Sequence, residues 1–385
     1  MSEPIEMYFN DFIKLNRGFD LPESNIVEGK YPIAASTSIK DYHKDFKVKA
    51  PCVTTGRSGS LGSVLFINQD CWPLNTTLYV KDFKGNNPKY VYYFLQTMKL
   101  ESFNCGAGVP TLNQNHLHKV KVKIHKKDEQ LRIASILSAY DDLIENNNRR
   151  IALLEQMAEQ IYKEWFVRMR FPGYENTEFE KGVPKGWEVK QIKDFGKVVT
   201  GKTPSTGNVG YFGGKYPFIK TPDMHGNIFV LKTEETLSES GLLSQKAQKL
   251  PANSICVSCI GTGGVVSITP SVCMTNQQIN TLILDNNSFL EFMFYSLKGL
   301  KPMIELFGAT GATMTNLSKG KFENLKLIKP SDNLIEDFSK RTKPVFLQIR
   351  NLMEQQIILK QTRDLLLPRL ISGKLKVKVE MEKTI

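Results

Sequence analysis

Histidine is scarce in this chain: five residues in 385. There is also no Asp-x(n)-Glu-x-Lys nuclease cluster, no pair of carboxylates and no Ser/His/Asp set at a useful spacing. Acid–base and nucleophilic catalysis need such groups within hydrogen-bond reach of one another, so a hydrolytic centre in the chain itself is not expected. Cysteine is sparse too, at six residues. Cys256-Val-Ser-Cys259 has the spacing of half a zinc site, with Cys273 beyond it. The stretch Ser254–Ile260 is β-like, however, and in a strand two residues three apart point to opposite faces. No second Cys-x-x-Cys or His pair completes the site, so the thiols are expected to be structural and no metal is assigned. No apolar run approaches the ~18 residues of a membrane span, and no cationic-plus-apolar leader opens the chain. The expected location is cytoplasmic, with no membrane partner.

What is present is ordinary globular material with a basic surplus. Hydrophobic residues make up 41%, so disorder is not the default, and 385 residues suggest two or three domains. The formal net charge of +12 favours a polyanion or an acidic protein as partner.

The chain also repeats itself. Gly29-Lys30-Tyr31-Pro32 returns as Gly214-Lys215-Tyr216-Pro217, 185 positions on. Gly59-Ser60-Leu61-Gly62 answers Gly261-Thr262-Gly263-Gly264 at 202, as Gly106-Ala107 answers Gly308-Ala309. Thr77-Leu78 resembles Thr281-Leu282 at 204, and Leu117, Val120 and Leu154 match Phe322, Leu325 and Leu359 at 205. A period near half the chain is far longer than the ~20–50 residues of a solenoid or propeller repeat. It implies two copies of one unit, each a domain followed by a helix.

The helices have their own pattern. Ile133, Leu137, Tyr140, Ile144, Asn147, Ile151, Leu154, Ala158, Ile161 and Trp165 step alternately by four and three, a heptad seam. Asp128 suits an N-cap, Phe171-Pro172-Gly173 ends the element, and a helix over 129–168 would be roughly 60 Å long. In the second copy Val345, Ile349, Leu352, Gln356, Leu359, Arg363, Leu366 and Leu370 form the seam, ending at Ser372-Gly373. Pro344 is expected to kink that helix or to begin a new segment. Asn147, Gln356 and Arg363 either fix register between the two helices or face solvent or a partner. The matched seams suggest antiparallel packing within one chain; a homodimer through either helix is the alternative.

Ahead of each helix lie short β runs, a Gly-rich hairpin (Arg57–Gly62 and Ile260–Gly264), an aromatic helix (Tyr90–Leu95 and Phe289–Leu297) and a polar loop (Gly106–Asn115 and Gly308–Asn316). The fold class expected is α/β (α+β): two mixed α/β domains separated by two long antiparallel coiled-coil-like helices, with an internal pseudo-twofold repeat. Loop-borne Asn, Gln, Thr, Ser, Arg and Lys match the donor and acceptor edges of bases in the major groove, although most loop residues of these types serve turns. Two other motifs are decoys. Gly196–Thr203 fits the P-loop pattern, with Leu282–Asp285 as its strand, but a P-loop must open a helix and Pro204 follows at once. Asn87-Pro88-Lys89-Tyr90 approaches the Asn-Pro-Pro-Tyr of amino-methyltransferases, yet its third residue is lysine and no Gly-rich cofactor loop precedes it.

In order along the chain, Ile144–Arg150, Ile151–Phe166, Gly186-Trp187, Gly201-Lys-Thr-Pro204, Tyr216–Asp223, Thr275–Asn280 and Arg363–Gly373 resemble the specificity subunit of Type I restriction–modification enzymes. The resemblance implies a first target recognition domain over 1–127 and a central spacer helix over 128–170. It implies a second target recognition domain over 171–330, then a second long helix with a strand-like tail over 331–385. Such a subunit is non-catalytic on its own. It binds double-stranded DNA at a bipartite asymmetric target and scaffolds two methyltransferase subunits and the restriction/translocase subunits. S-adenosylmethionine, ATP and Mg act in those partners, with no cofactor in this chain. The candidate DNA-binding residues are Ser36, Thr37, Arg57, Ser58, Thr111, Asn113 and Gln114 in the first domain. In the second they are Lys220, Asp223, His225, Thr262, Gln277, Gln278, Thr313 and Asn316. Tyr162, Trp165, Phe166, Leu366 and Leu370, near the helix ends, are candidates for partner binding, with packing inside the chain as the alternative. A self-contained P-loop ATPase or nuclease is the rival reading. The first copy departs from the family strings in its entry segment, which lacks the Trp and Gly-Lys-Thr-Pro and is about 17 residues shorter before the Gly hairpin.

Overall fold

Residues 4–309 and 315–377 are described by the computed structural model. They form two units, one of residues up to Asn146 together with those from Ile357 onward, the other Asn147–Gln356. The first repeat supplies β1 (Ile5–Tyr8), α1 (Phe9–Phe12), β2 (Lys14–Arg17), β3 (Tyr31–Ala34), β4 (Ile39–His43), β5 (Cys52–Gly56), β6 (Val64–Ile67), β7 (Trp72–Pro73), β8 (Thr77–Asp82), α2 (Pro88–Thr97), α3 (Gln114–His118), β9 (Lys121–Ile124) and the long α4 (Lys127–Tyr162). A π-helical turn over Lys163–Val167 extends α4.

The second repeat opens with a small hairpin of β10 (Phe179–Glu180) and β11 (Val183–Pro184). It continues with β12 (Glu188–Gln191), β13 (Gly196–Thr200), β14 (Phe212–Ile219), α5 (Thr221–Met224), β15 (Glu235–Leu237), α6 (Glu239–Ser244), β16 (Ile255–Ser258), β17 (Ile260–Gly261), β18 (Val266–Ile268), β19 (Met274–Thr275) and β20 (Ile279–Leu284). Then come α7 (Leu290–Gly299), α8 (Lys301–Gly308), β21 (Thr315–Asn316), α9 (Lys319–Glu323), β22 (Lys326–Lys329) and α10 (Asp332–Ile371).

Each strand described in the first repeat has a counterpart in the second, which adds the β10–β11 hairpin and the β17–β21 pair. Each closes by pairing its entry strand with the strand ahead of its long helix, Ile5 with Ile124 and Glu188 with Lys329. Each has a four-stranded antiparallel sheet, β2-β8-β5-β6 and β13-β20-β16-β18. Each has a three-stranded sheet, β4-β3-β7 and β15-β14-β19, with one antiparallel and one parallel pair. Leu15 pairs with Val80 as Val198 does with Leu282, and Ile33 with Trp72 as Phe218 does with Met274. Those registers fix offsets of 183 for the entry strands, 185 for β3 and 202 from β5 through α2. From α3 onward the offset is 205. The equation of Thr77-Leu78 with Thr281-Leu282 at 204 is therefore corrected: Thr77 and Leu78 answer Ile279 and Asn280. The Thr-Leu dipeptide recurs two residues out of register, a slip that keeps each side chain on its own face because the strand period is two.

Local chemistry explains the helices. Asn87 is the N-cap of α2, its side chain accepting from the Tyr90 amide, and Pro88 stands where a helix needs no N–H. The methyltransferase-like tetrapeptide is thus a helix start. Phe12 stacks edge-on against Phe94 at 5.0 Å, and this aromatic face joins Ile13, Leu15, Val53 and Leu117 in the first core. Phe195, Val198, Ile255 and Phe322 hold the places of Phe12, Leu15, Val53 and Leu117 in the second.

Every seam position named for the two long helices is buried or half-buried. In the first unit Ile133 and Leu137 of α4 share a core with Leu367 and Leu370 of α10, while further along α4 Asp141 meets Arg363. In the second unit Asn147 meets Gln355, and Trp165 beyond α4 lies 5.9 Å from Phe338. Both pairings run antiparallel. Three details correct the expectations. Lys126, whose carbonyl takes the Glu129 and Gln130 amides, precedes the helix, and Asp128 lies within its first turn, where a carboxylate suits the helix dipole. The regular α-helix ends at Tyr162 and the rest is the π turn. Finally, α10 runs through Pro344 without starting a new segment. Pro344 and Lys340, whose carbonyl loses its amide partner, are both exposed, and burial of Val345, Phe346 and Ile349 just beyond holds the helix together. The strand-like tail lies partly outside the described residues. No helix among the described residues is long and apolar enough to cross a membrane.

Candidate nucleic-acid interface

At one end of the first repeat four loops are tied together by hydrogen bonds. The β3–β4 turn reaches in through Ser36, whose hydroxyl donates to the carbonyls of Ser58 at 3.2 Å and Thr76 at 2.9 Å. Thr37 is exposed beside it. The Thr76 carbonyl also takes the amides of Arg57 and Ser58, and the Arg57 guanidinium donates to the Asn75 carbonyl at 3.2 Å. Ser58 forms a β-bridge with Thr111, and Leu112 donates to the Arg57 carbonyl. Thr111 donates to the Val109 carbonyl, and Asn113 caps α3 by accepting from the Asn115 amide. Gln114 Oε1 is buried with no hydrogen-bond partner among the described residues. All seven candidates of the first domain therefore fall on this end or on the helix that follows it.

The second repeat rebuilds the frame with other side chains. Ile260 pairs with Asn316 where Ser58 bridges Thr111. The Gln278 carbonyl takes the amides of Cys259 and Ile260, as Thr76 serves Arg57 and Ser58. Thr203 Oγ1 donates to Gln277 Oε1 at 2.8 Å, and the counterparts in the first repeat are Asp20, which accepts from Asn75 Nδ2. Gln277 and Thr262 are exposed, while Gln278 accepts from Asn276 Nδ2 at 3.0 Å. Thr313 lies outside the described residues. Lys220 and Asp223 stand apart, where the extra residues of the second repeat separate β14 from β15. Asp223 accepts from the amides of Lys220 and Glu234, and Lys220 pairs with Glu235, so both side chains hold this insertion in shape. His225 is exposed on the same insertion.

Four residues of this frame escaped the sequence reading: Asp20, Asn75, Thr76 and Thr203. The signal was the offset of 202, which puts Asn75 and Thr76 opposite Gln277 and Gln278; the false offset of 204 hid it.

The decoys resolve physically. The Gly201 amide donates to the Ile279 carbonyl at 3.0 Å and that of Lys202 to the Thr275 carbonyl at 2.9 Å, so these amides serve the sheet. A Cβ on Gly201 would sit 2.1 Å from the Asn276 carbonyl oxygen, and one on Gly18 would sit 2.2 Å from that of Leu74. Gly201 thus repeats Gly18, and each is glycine because two backbones touch there. Cys256 and Cys259 join different core clusters, on opposite faces. Burial pushes their thiols up to about 12 and about 11, which disfavours the thiolates a zinc site needs. No group of three or more His, Cys, Asp or Glu among the described residues is arranged to hold a metal.

The five helix residues face inward. Tyr162 shares a hydrogen bond with Ser296 at 3.1 Å, Trp165 is buried with Arg341 over its ring, and Phe166 packs on Trp187, Phe292 and Phe338. Leu366 and Leu370 pack in the first unit's core.

Comparison with known proteins gives consistent results. The family model described as the Type I restriction modification DNA specificity domain matches twice, over residues 6–156 and 184–338. The chain is 29% identical to the Type I restriction enzyme HindI specificity subunit of Haemophilus influenzae, over 82% of this chain and 84% of that protein. It is 28% identical to the MjaIX specificity subunit of Methanocaldococcus jannaschii, over 75% and 69%. Among solved structures, the S subunit of a Type I restriction–modification system from M. genitalium aligns with a TM-score of 0.66 at 16% identity, covering 97% of this chain and 96% of that one. At that identity the likeness is one of fold.

Proposed function

The chain belongs to the Type I restriction–modification DNA specificity family, and from that premise we propose that it reads a bipartite, asymmetric DNA target with one half-site per repeat. One observation carries this reading. The two loop frames share their backbone hydrogen bonds yet differ in side chain at each matched place: Asp20 against Thr203, Asn75 against Gln277, Ser58 against Ile260 and Thr111 against Asn316. A common frame with unlike side chains suits two readers that bind the same duplex geometry and prefer different bases. Lysine and arginine supply the salt-dependent, sequence-independent part of the affinity, in keeping with the net charge of +12.

In this reading the chain has no catalytic centre. Its helical regions dock two methyltransferase subunits, which use S-adenosylmethionine, and the assembly recruits restriction/translocase subunits that use ATP and Mg. Tyr162, Trp165, Phe166, Leu366 and Leu370 are the candidates on which that docking depends. Selection of duplexes from a random pool by the purified assembly tests the function. Two short conserved blocks around an unread gap of fixed length are expected. A single block, or no enrichment, contradicts a bipartite reader.

A further inference from the structure

The polar residues on the helix seams have partners, and the partners are specific. In the first unit Arg363 Nη1 of α10 donates to Asp141 Oδ1 of α4 at 2.6 Å, and Tyr93 of α2 donates to the other oxygen of the same carboxylate. In the second unit Asn147 Nδ2 donates to Gln355 Oε1 at 3.5 Å and Gln356 Nε2 to Asn148 Oδ1 at 2.7 Å. Apart from the bond from Tyr93, each joins α4 to α10.

The repeat lets each position be compared with its counterpart 205 residues away, and the polar character is not repeated. Asp141 corresponds to Phe346, Asn147 to Leu352, Gln356 to Ile151 and Arg363 to Ala158. Phe346 packs against Tyr295 at 5.8 Å, where the first repeat has the bond from Tyr93 to Asp141. One repeat uses charge where the other uses an aromatic ring.

From this asymmetry we infer that Asp141, Asn147, Gln356 and Arg363 select the pairing of unlike helices and reject the pairing of like ones, so that a repeat does not dimerise with a second copy of itself. Were α4 to pair with another α4, each α10 residue would be replaced by its counterpart. Asp141 would then meet the methyl group of Ala158 in place of a guanidinium. The Asn147 N–H would point to Arg150, which has no acceptor. In a pair of α10 helices, Arg363 would meet Phe346 and the Gln356 N–H would meet the thioether of Met353. In a like pairing Asp141 keeps only the Tyr93 hydroxyl and Arg363 only Asp364, and the seam amides lose their partners across the helix pair, whereas the unlike pairing satisfies all of them. A polar seam residue that specifies partner at some cost in stability is a known device of coiled coils. The selection matters during synthesis, when the first repeat and its helix are complete before α10 exists and other first repeats are its only possible partners.

The test uses the full chain with a protease site at the exposed Lys181-Gly182 turn, cleaved after folding. The repeats are then separate chains in their native pairing. The nicked protein is unfolded in urea and refolded by dilution, and its particles are counted by native mass spectrometry. The pairing of the two unlike fragments is expected in more than about tenfold excess over both homodimers. The variant Asp141→Phe/Asn147→Leu/Gln356→Ile/Arg363→Ala gives each residue the identity of its counterpart, and should shift the mixture toward the statistical proportion of homodimers. Asn147→Leu/Gln356→Ile alone, which leaves the ion pair intact, should give an intermediate shift and serves if the larger variant refolds poorly. Statistical scrambling of the unaltered fragments, or a variant that keeps their ratio, overturns the inference.

Discussion

Thr203 Oγ1 donates to Gln277 Oε1 at 2.8 Å, tying the entry turn of the second repeat to the turn ahead of β20. The bond leaves the exposed amide N–H groups of Gln277 free to donate, as a base contact requires. In the first repeat the direction is reversed, Asn75 Nδ2 donating to the Asp20 carboxylate, so that Asn75 offers its Oδ1 as an acceptor. Gln277→Ala should weaken discrimination in one half-site and Asn75→Ala in the other, each by about 1–3 kcal/mol at the affected base pair. Competition binding with duplexes altered in one half at a time measures this. Equal loss on both halves from either variant would contradict the assignment.

Arg363→Ala should destabilise the first unit. It leaves the Asp141 carboxylate half-buried with only the Tyr93 hydroxyl. The expected loss is about 1–3 kcal/mol, above that of an exposed pair and below that of a fully buried one. Urea titration reads it, and Asp141→Asn, which keeps a hydrogen-bond acceptor, should cost less.

Acid should loosen the first unit before carboxylates titrate. His118 Nε2 accepts from the Leu15 amide, and burial, helped by nearby Lys14, holds its pKa below 6.5. Burial lowers His125 likewise, and its Nδ1 shares a hydrogen bond with the Tyr90 hydroxyl at 3.0 Å. A histidine depressed in the folded state binds protons more readily when unfolded. Its contribution is therefore present above 6.5 and is lost as pH falls through the lowered folded values. His118→Gln should flatten that part of the stability–pH curve; an unchanged slope would exclude His118 as its source.

Glu291 is an inefficiency in the second core. It is 3% exposed on α7, its carboxylate accepts from Ser339 at 2.7 Å, and burial raises its pKa. Because the folded value lies above the unfolded one, the charged form weakens the fold increasingly as pH rises through it. Glu291→Gln keeps an acceptor for Ser339 and should raise the melting temperature at pH 7 by roughly 2–4 °C, with the gain vanishing in acid.

Gly201→Ala and Lys202→Ala separate a structural turn from a nucleotide site. The alanine methyl meets the Asn276 carbonyl, so Gly201→Ala should cost roughly 1–3 kcal/mol. Lys202→Ala should leave stability unchanged, and the purified chain should not bind ATP. Lysine-dependent ATP binding would revive the P-loop reading.

Much of this architecture is legible in the sequence because it is written twice. Heptad stepping marks α4 and α10, and Gly-Lys-Tyr-Pro with the Gly hairpins gives offsets of 185 and 202 without a structure. Short strands blur the rest. Thr77-Leu78 and Thr281-Leu282 match in letters two residues out of register, and that slip concealed Asn75 and Thr76 as the counterparts of Gln277 and Gln278. Nor does sequence show that Asp223 spends its carboxylate on two backbone amides, or that Asn147 and Arg363 find partners across the helix pair. Such facts depend on which loops meet, and composition does not record that.

The proposed role, directing modification to one bipartite DNA sequence, ties one methylation motif to this chain. Base-resolved methylation mapping of the source genome, with the chain present and deleted, tests it most directly. Deletion should abolish modification of one asymmetric motif, two short half-sites around a fixed gap with adenines modified on opposite strands, and Gln277→Ala should restore a motif altered in one half. A methylome that is unchanged by the deletion, while the assembled complex methylates other DNA in vitro, would contradict it.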